Sequence, residues 1–220
     1  MTGRGGEHVR GGLQAQAMFI AGLAVAASYL ACDVAGIAFP VDVLWKCAGI
    51  VLLGVVALAN GARVAAAGLF FSAAGDAALA LPTPSFVAGM AFFGIAHLFY
   101  AGLFINALRE TGPDGRWAPV AGAFLVLSGV LLTQFLPGMG ALTAPGLGYQ
   151  AIITLMAASA IVSRAPVIAK VGALLFVLSD TLIGFQIYKG VTPPPGAVWI
   201  TYAAAQALLT LGFIRMRKAA

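Results

Sequence analysis

Proline, glycine and charge divide this sequence into eight long apolar runs, at residues 18–37, 43–60, 64–81, 85–108, 117–136, 147–163, 167–188 and 197–214. A helix crossing the hydrocarbon core of a bilayer needs about 20 mostly apolar residues. Within that core only helices and closed barrels satisfy every backbone polar group. These runs are too long for strands and lack period-2 alternation, which leaves helices. Eight spans take up roughly 160 residues, and the chain has 220. The remainder suffices for two short tails and tight loops. Composition agrees: 61% of residues are hydrophobic and 9% charged, against about 45–50% and about 25% in soluble domains. The expected fold class is therefore all-α, a polytopic membrane protein of eight transmembrane helices. A soluble enzyme, a disordered chain and a large extramembrane domain are excluded.

Charge sets the expected orientation. The turns are rich in Pro and Gly, as in Leu81-Pro82-Thr83-Pro84, Thr111-Gly112-Pro113-Asp114-Gly115 and Pro193-Pro194-Pro195-Gly196. Of the 12 Lys and Arg, one side receives Arg4, Arg10, Arg63, Arg109, Arg116, Arg164, Lys170, Arg215, Arg217 and Lys218, and the other only Lys46 and Lys189. The positive-inside rule then puts both termini in the cytoplasm of a cell (inner) membrane protein. Residues 1–17 and 215–220 read as cytoplasmic tails flanking one transmembrane domain, 18–214. The first run follows two arginines, as a secretory signal would, but seven more runs follow it, and it is read as a retained span. The net charge of +5 carries no basic-aromatic patch, so nucleic acid is not expected as a partner. Cys32 and Cys47 fall near one membrane face; a bridge or two unpaired thiols both fit, the second better.

Ionisable groups inside spans are costly and usually face a bundle interior or a wet cavity. Here they are Lys46, Asp76, His97 and Asp180. At the 1.5 Å helical rise Asp76 lies roughly 8 Å, and Asp180 roughly 12 Å, below the outer membrane face. Tyr149, Tyr202 and Gln206 enter the same outer half, with His97 and its neighbour Tyr100 nearer the middle. This convergence implies a cavity open to the non-cytoplasmic side. Gly68, Ser72 and Asp76 share one helix face, as do Gly172, Phe176, Asp180 and Gly184, and the small residues leave room for water or a headgroup. Runs one and five hold no ionisable residue at mid-depth and read as peripheral. Plainer readings compete: an Asp–Lys ion pair, interfacial tyrosines, Gln206 as interhelical glue, Lys170 as a snorkelling anchor. Runs three and seven each place an aspartate after a small residue, which is either a 4+4 parallel repeat or shared helix chemistry without duplication. No cluster has zinc spacing, and no metal or cofactor is expected.

Trp45-Lys46, Gly75-Asp76-Ala77-Ala78-Leu79, His97-Leu98-Phe99-Tyr100, Ser179-Asp180 and Tyr202-Ala203-Ala204-Ala205-Gln206 occur in this order over residues 45–212. In this ordered set the sequence resembles the lysoplasmalogenase (YhhN-like) family. Cys47 departs from the family's usual proline after the lysine. The resemblance implies an eight-span membrane hydrolase acting on a lysophospholipid-like amphiphile drawn from membrane lipid. It cleaves the vinyl ether bond to a fatty aldehyde and a glycerophospho-headgroup. That reaction wants one protonated and one ionised acid, which two carboxyls in a shared cavity can supply. Asp76 and Asp180 are the expected catalytic pair. Lys46, His97, Tyr100, Tyr149, Tyr202 and Gln206 are expected to bind substrate and water. A small proton-coupled transporter or a non-catalytic lipid-binding protein is the alternative.

Overall fold

The computed structural model describes the backbone of residues 3–83 and 85–219, and the side chains of that set from residue 15 onward except Asp33. The side chains of Arg4, Arg10 and Asp33, and Pro84 of the turn that begins at Leu81, lie outside the described residues. All regular structure described is helical. The eight long helices are α1 (Gly3–Val34), α2 (Val41–Ala59), α3 (Arg63–Ala80), α4 (Phe86–Thr111), α5 (Ala118–Phe135), α6 (Thr143–Val162), α7 (Val167–Lys189) and α8 (Ala197–Ala219). Each contains a segment long and apolar enough to cross a membrane. Their ends follow local chemistry. Ser85 caps α4 by accepting from the Ala88 N–H at 3.2 Å, which satisfies one of the helix's free first-turn donors. Gly190, at φ 66°, closes α7 in the left-handed conformation that other residues adopt only at a cost. Helix and apolar run do not coincide everywhere. α1 starts at Gly3 rather than near Met18, and α8 continues through Arg215, Arg217 and Lys218. Backbone hydrogen bonding does not stop where apolarity does.

Six helices form a closed ring in the order α2, α3, α4, α6, α7, α8, with α8 returning to α2. α1 lies outside against α2 and α8, and α5 lies outside against α6, touching α7 more sparsely. Their span segments are the least buried of the eight, at 17% and 22%. Peripheral position was the expectation for both, yet α5 also walls the cavity described below.

Small residues allow this closeness, as expected where packing drives helix association in lipid. A Cβ added at Gly212 would sit 2.5 Å from Ala169 Cβ, and one at Gly172 would sit 2.9 Å from the Leu209 backbone nitrogen. The space beside the aspartates is not empty, however. A Cβ at Gly68 would meet the Tyr100 ring at 2.3 Å, and one at Gly184 would meet Phe135 at 2.8 Å. Large aromatic side chains, rather than water or a headgroup, fill those notches. Cys32 and Cys47 are unbridged thiols.

Near the start of α7, Lys170 corrects a second expectation. It does not snorkel. It is 2% exposed and its Nζ donates to the Ile161 and Ser163 carbonyls at 2.8 and 2.6 Å. The Trp117 ring lies 4.5 Å away. A cation on the last carbonyls of α6 satisfies acceptors the helix itself leaves free and complements its dipole. Nearby, outside the spans, Asp114 is held down to about 2 by hydrogen bonds from Arg116.

Gly212→Ala is expected to strain the α7–α8 contact by about 1–3 kcal/mol, lowering the detergent-solubilised melting temperature by roughly 2–4 °C per kcal/mol. Gly129→Ala on α5 meets nothing within 4 Å and is the control, expected to leave the melting temperature unchanged or raised. Equal effects from the two would show that α7 and α8 are not closely packed.

Candidate active site

The site is built from two carboxylates, each held by a tyrosine from another helix. Asp76, on α3, is 3% exposed. The Tyr202 hydroxyl on α8 donates to its Oδ2 at 2.6 Å. Lys46 on α2 brings Nζ to 4.0 Å from its Oδ1, and that ammonium also lies 5.9 Å from the Trp199 ring centre. A buried carboxylate without such partners is strongly disfavoured. A charge-assisted hydrogen bond plus an adjacent cation are the groups that make its burial tolerable.

Asp180, on α7, has a parallel environment. The Tyr149 hydroxyl on α6 donates a short hydrogen bond to its Oδ2. His97 Nε2 on α4 lies 3.5 Å from the same oxygen and 3.0 Å from the Tyr149 hydroxyl. Because Tyr149 gives its one proton to Asp180, it accepts from His97. That puts the proton of a neutral imidazole on Nε2. Nδ1 is then a bare acceptor, and it is buried with no hydrogen-bond partner among the described residues.

An aromatic wedge separates the two clusters. Phe176 meets His97 edge-on at 4.5 Å and Tyr202 edge-on at 5.3 Å, and Phe93 closes against Phe176 and Tyr202. These edge-to-face arrangements suit the ring quadrupoles and fix ring orientation.

Both carboxylates open onto one cavity of about 690 Å³. Its polar end is walled by Lys46, Asp76, Tyr149, Asp180 and Tyr202. The α7–α8 loop from Thr192 to Gly196 lies over the same end of the bundle. An apolar arm runs from there between α5 and α7, past Leu127, Leu131, Val177 and Leu178. The combination of a few convergent polar groups and a long apolar wall is typical of a ligand site.

Five of the eight expected residues therefore share the cavity wall. The other three stand behind it. His97 is fully buried and reaches Asp180 alongside Tyr149. Tyr100 and Gln206 are fully buried and bond to each other at 2.9 Å, the tyrosine donating, which ties α4 to α8. Tyr202, 4% exposed and bonded to Asp76, is not an interfacial belt residue. The sequence reading missed Trp199 and a polar trio in the apolar arm. There Gln150 donates to Ser128 at 2.9 Å, and Ser128 and Thr154 lie 2.7 Å apart. Uncharged hydroxyls in a span carry too little cost to stand out. Only the shared facing of α5 and α6 reveals them.

Known proteins bear on this arrangement. A Mycobacterium tuberculosis protein named lysoplasmalogenase is 38% identical over 152 residues, which are 66% of this chain and 58% of that protein. A Mycobacterium bovis protein of the same name matches equally. The human protein named lysoplasmalogenase TMEM86A is 30% identical over 201 residues, covering 81% of this chain and 80% of its own length. The match thus spans less than two thirds of the mycobacterial relatives and most of the human one. No solved structure matches the chain. Residues 41–213 match the YhhN family; because that segment runs from the start of α2 well into α8 and takes in both aspartate clusters, the chain belongs to the YhhN family.

Proposed function

We propose that this multi-pass membrane protein is a hydrolase of the vinyl ether bond of lysoplasmalogens or a closely related lysolipid, with Asp76 and Asp180 as its acid–base pair. One observation carries the reading: two carboxylates, Asp76 buried on α3 and Asp180 half-buried on α7, open onto one cavity that continues into an apolar arm. The names of the relatives support the substrate class.

In the proposed reaction the protonated member of the pair delivers its proton to the β-carbon of the vinyl ether. The oxocarbenium-like cation that forms on the α-carbon is stabilised by the ionised member. That member takes a proton from water as the water adds to the α-carbon. The resulting hemiacetal collapses: the second carboxyl gives that proton to the departing ether oxygen, which leaves as the free glycerol hydroxyl, and the first takes the hemiacetal hydroxyl proton, which restores the pair. The products are a fatty aldehyde and the glycerophospho-headgroup, and the net consumption is one water. Tyr149 and Tyr202 hold the two carboxylates in place through their hydroxyls, and Lys46 offers a cation to the substrate phosphate at the polar end. His97 orients Tyr149. Tyr100 and Gln206 brace α4 against α8 from behind the wall rather than touching substrate.

The same proposal includes the 4+4 repeat. Matching α2, α3 and α4 to α6, α7 and α8 pairs Asp76 with Asp180, Lys46 with Tyr149, and Tyr202 with His97. Each aspartate then has one partner from the preceding helix and one from the other half of the chain. The ring contacts α4–α6 and α8–α2 exchange under this matching, in support of a two-fold axis along the membrane normal. Orientation also belongs to the proposal: the site faces the non-cytoplasmic half, with both termini cytoplasmic. The buried layer of Tyr100, Phe104 and Phe213 beneath the clusters supports a site open from one side, which suits a hydrolase, whereas a transporter needs access from both sides.

Detergent-purified protein is expected to release fatty aldehyde from a lysoplasmalogen and nothing from the matching acyl lysophospholipid. Asp76→Asn and Asp180→Asn, folded by melting temperature, are each expected to lose about 10²–10⁴-fold in kcat. Turnover at the wild-type rate in either variant would remove that residue from the mechanism. A fluorescent protein fused after Ala220 is expected to fluoresce in a bacterial host, as cytoplasmic fusions do, and a periplasmic-only reporter there is expected to stay silent. The reverse pattern would invert the proposed orientation.

A further inference from the structure

The apolar arm of the cavity has a feature that hydrolysis alone does not require. α5 and α7 touch near both ends and stand apart between. Toward the polar end Phe135 packs on Gly184, with ring contacts to Phe185 and Tyr188 at 5.1 and 5.7 Å. Toward the other end Phe124 belongs to a cluster with Ala121, Ala157 and Ile161, against which Leu174 and Val177 pack. Phe124 and Phe135 are eleven residues apart, or roughly 16 Å of helix. Within that interval Leu127 and Leu178 line the cavity, and they are 55% and 45% exposed. Cavity-lining side chains exposed to this extent mark an opening. Both leucines lie near the middle of their helices, where the surroundings are hydrocarbon rather than water.

We propose that this gap between α5 and α7 is a lateral window through which a single hydrocarbon chain of a membrane-dissolved amphiphile enters the cavity, so that its polar end reaches the aspartates without leaving the bilayer. The inference rests on the reading of the site as one for a lysolipid. One chain, rather than the two of a bulk phospholipid, suits a slot bounded by two adjacent helices and closed above and below. The window also explains why α5 is the ring's outlier. It packs along α6 but touches α7 sparsely, and Ser128 with Gln150 and Thr154 holds it on the α6 side. The aldehyde left by the proposed cleavage, which keeps the chain and loses the headgroup, would depart by the same route.

The first measurement uses the full-length protein and does not depend on turnover. A lysophosphatidylcholine carrying a photoreactive diazirine at mid-chain is irradiated with the protein in nanodiscs, and adducts are mapped by mass spectrometry. Labelling concentrated on residues around Leu127, Leu131, Val177 and Leu178, and suppressed by excess unlabelled lysolipid, is the expected result. Labelling spread evenly over the lipid-facing residues of α1 and α5, with no suppression, would overturn the window. The second measurement compares Leu127→Trp/Leu178→Trp with the lipid-facing control Val126→Trp. The double variant is expected to lose at least tenfold in turnover of a long-chain lysoplasmalogen and to keep turnover of a short, water-soluble vinyl ether. The control is expected to keep both. Equal loss on both substrates, or none on either, would overturn the proposal. Suppressible labelling with no aldehyde from the wild type would instead leave the window standing and remove the hydrolase reading.

Discussion

Two tyrosine hydroxyls donating to two carboxylates, one buried and one half-buried, are what the rest of this site depends on. An aspartate inside a membrane bundle is tolerated only with partners, because the interior offers it no water. Tyr202 supplies that partner to Asp76 and Tyr149 to Asp180. The first bond joins helices distant in sequence, α3 and α8, and the second joins the consecutive helices α6 and α7. The hydrogen bonds that make the acids bearable therefore also tie the bundle together, one across the ring from α3 to α8 and one between the neighbours α6 and α7.

The aromatic wedge turns this into a defined geometry. Phe176 and Phe93 pack between the clusters, keeping the carboxylates as two separate sites on a shared cavity instead of one collapsed pair. Beneath them Tyr100 fills the notch at Gly68 and bonds Gln206. A glycine that reads as empty space in sequence is a socket in the fold. The same is true of Gly184, whose socket holds Phe135 and so pins the upper end of α5 to α7.

The placement of α5 shows how a helix without a single ionisable residue at mid-depth can still matter. It contributes apolar wall, one hydroxyl and a gap. In lipid no hydrophobic force closes a space between two apolar helices, because hydrocarbon tails fill it as well as leucines do. A window between α5 and α7 therefore carries little energetic penalty in a bilayer, whereas a comparable gap in a soluble core would expose apolar surface to water. Lys170 makes the opposite point at the other end. There a cation that could reach water is instead drawn into the α6 C-terminus, where two carbonyls and an indole face replace its hydration.

What the sequence determined by itself was the solvent and the helices. Eight apolar runs can be only spanning helices, and charges such as Lys46, Asp76, His97 and Asp180 are too costly at depth to be there without purpose. Tyr149 and Tyr202 were legible too, since helical rise sets the depth of every residue on a straight span. Only tertiary structure decided lateral matters, because the bilayer fixes depth but not which helix stands beside which. It separated Tyr202, on the wall, from Gln206, one helical turn below it and behind the wall. It filled the notches beside the acids with Tyr100 and Phe135, and it brought Ser128 to Gln150 and Thr154. It also held α5 on α6 while leaving its gap to α7, a consequence of packing shape that no periodicity in one strand of sequence records.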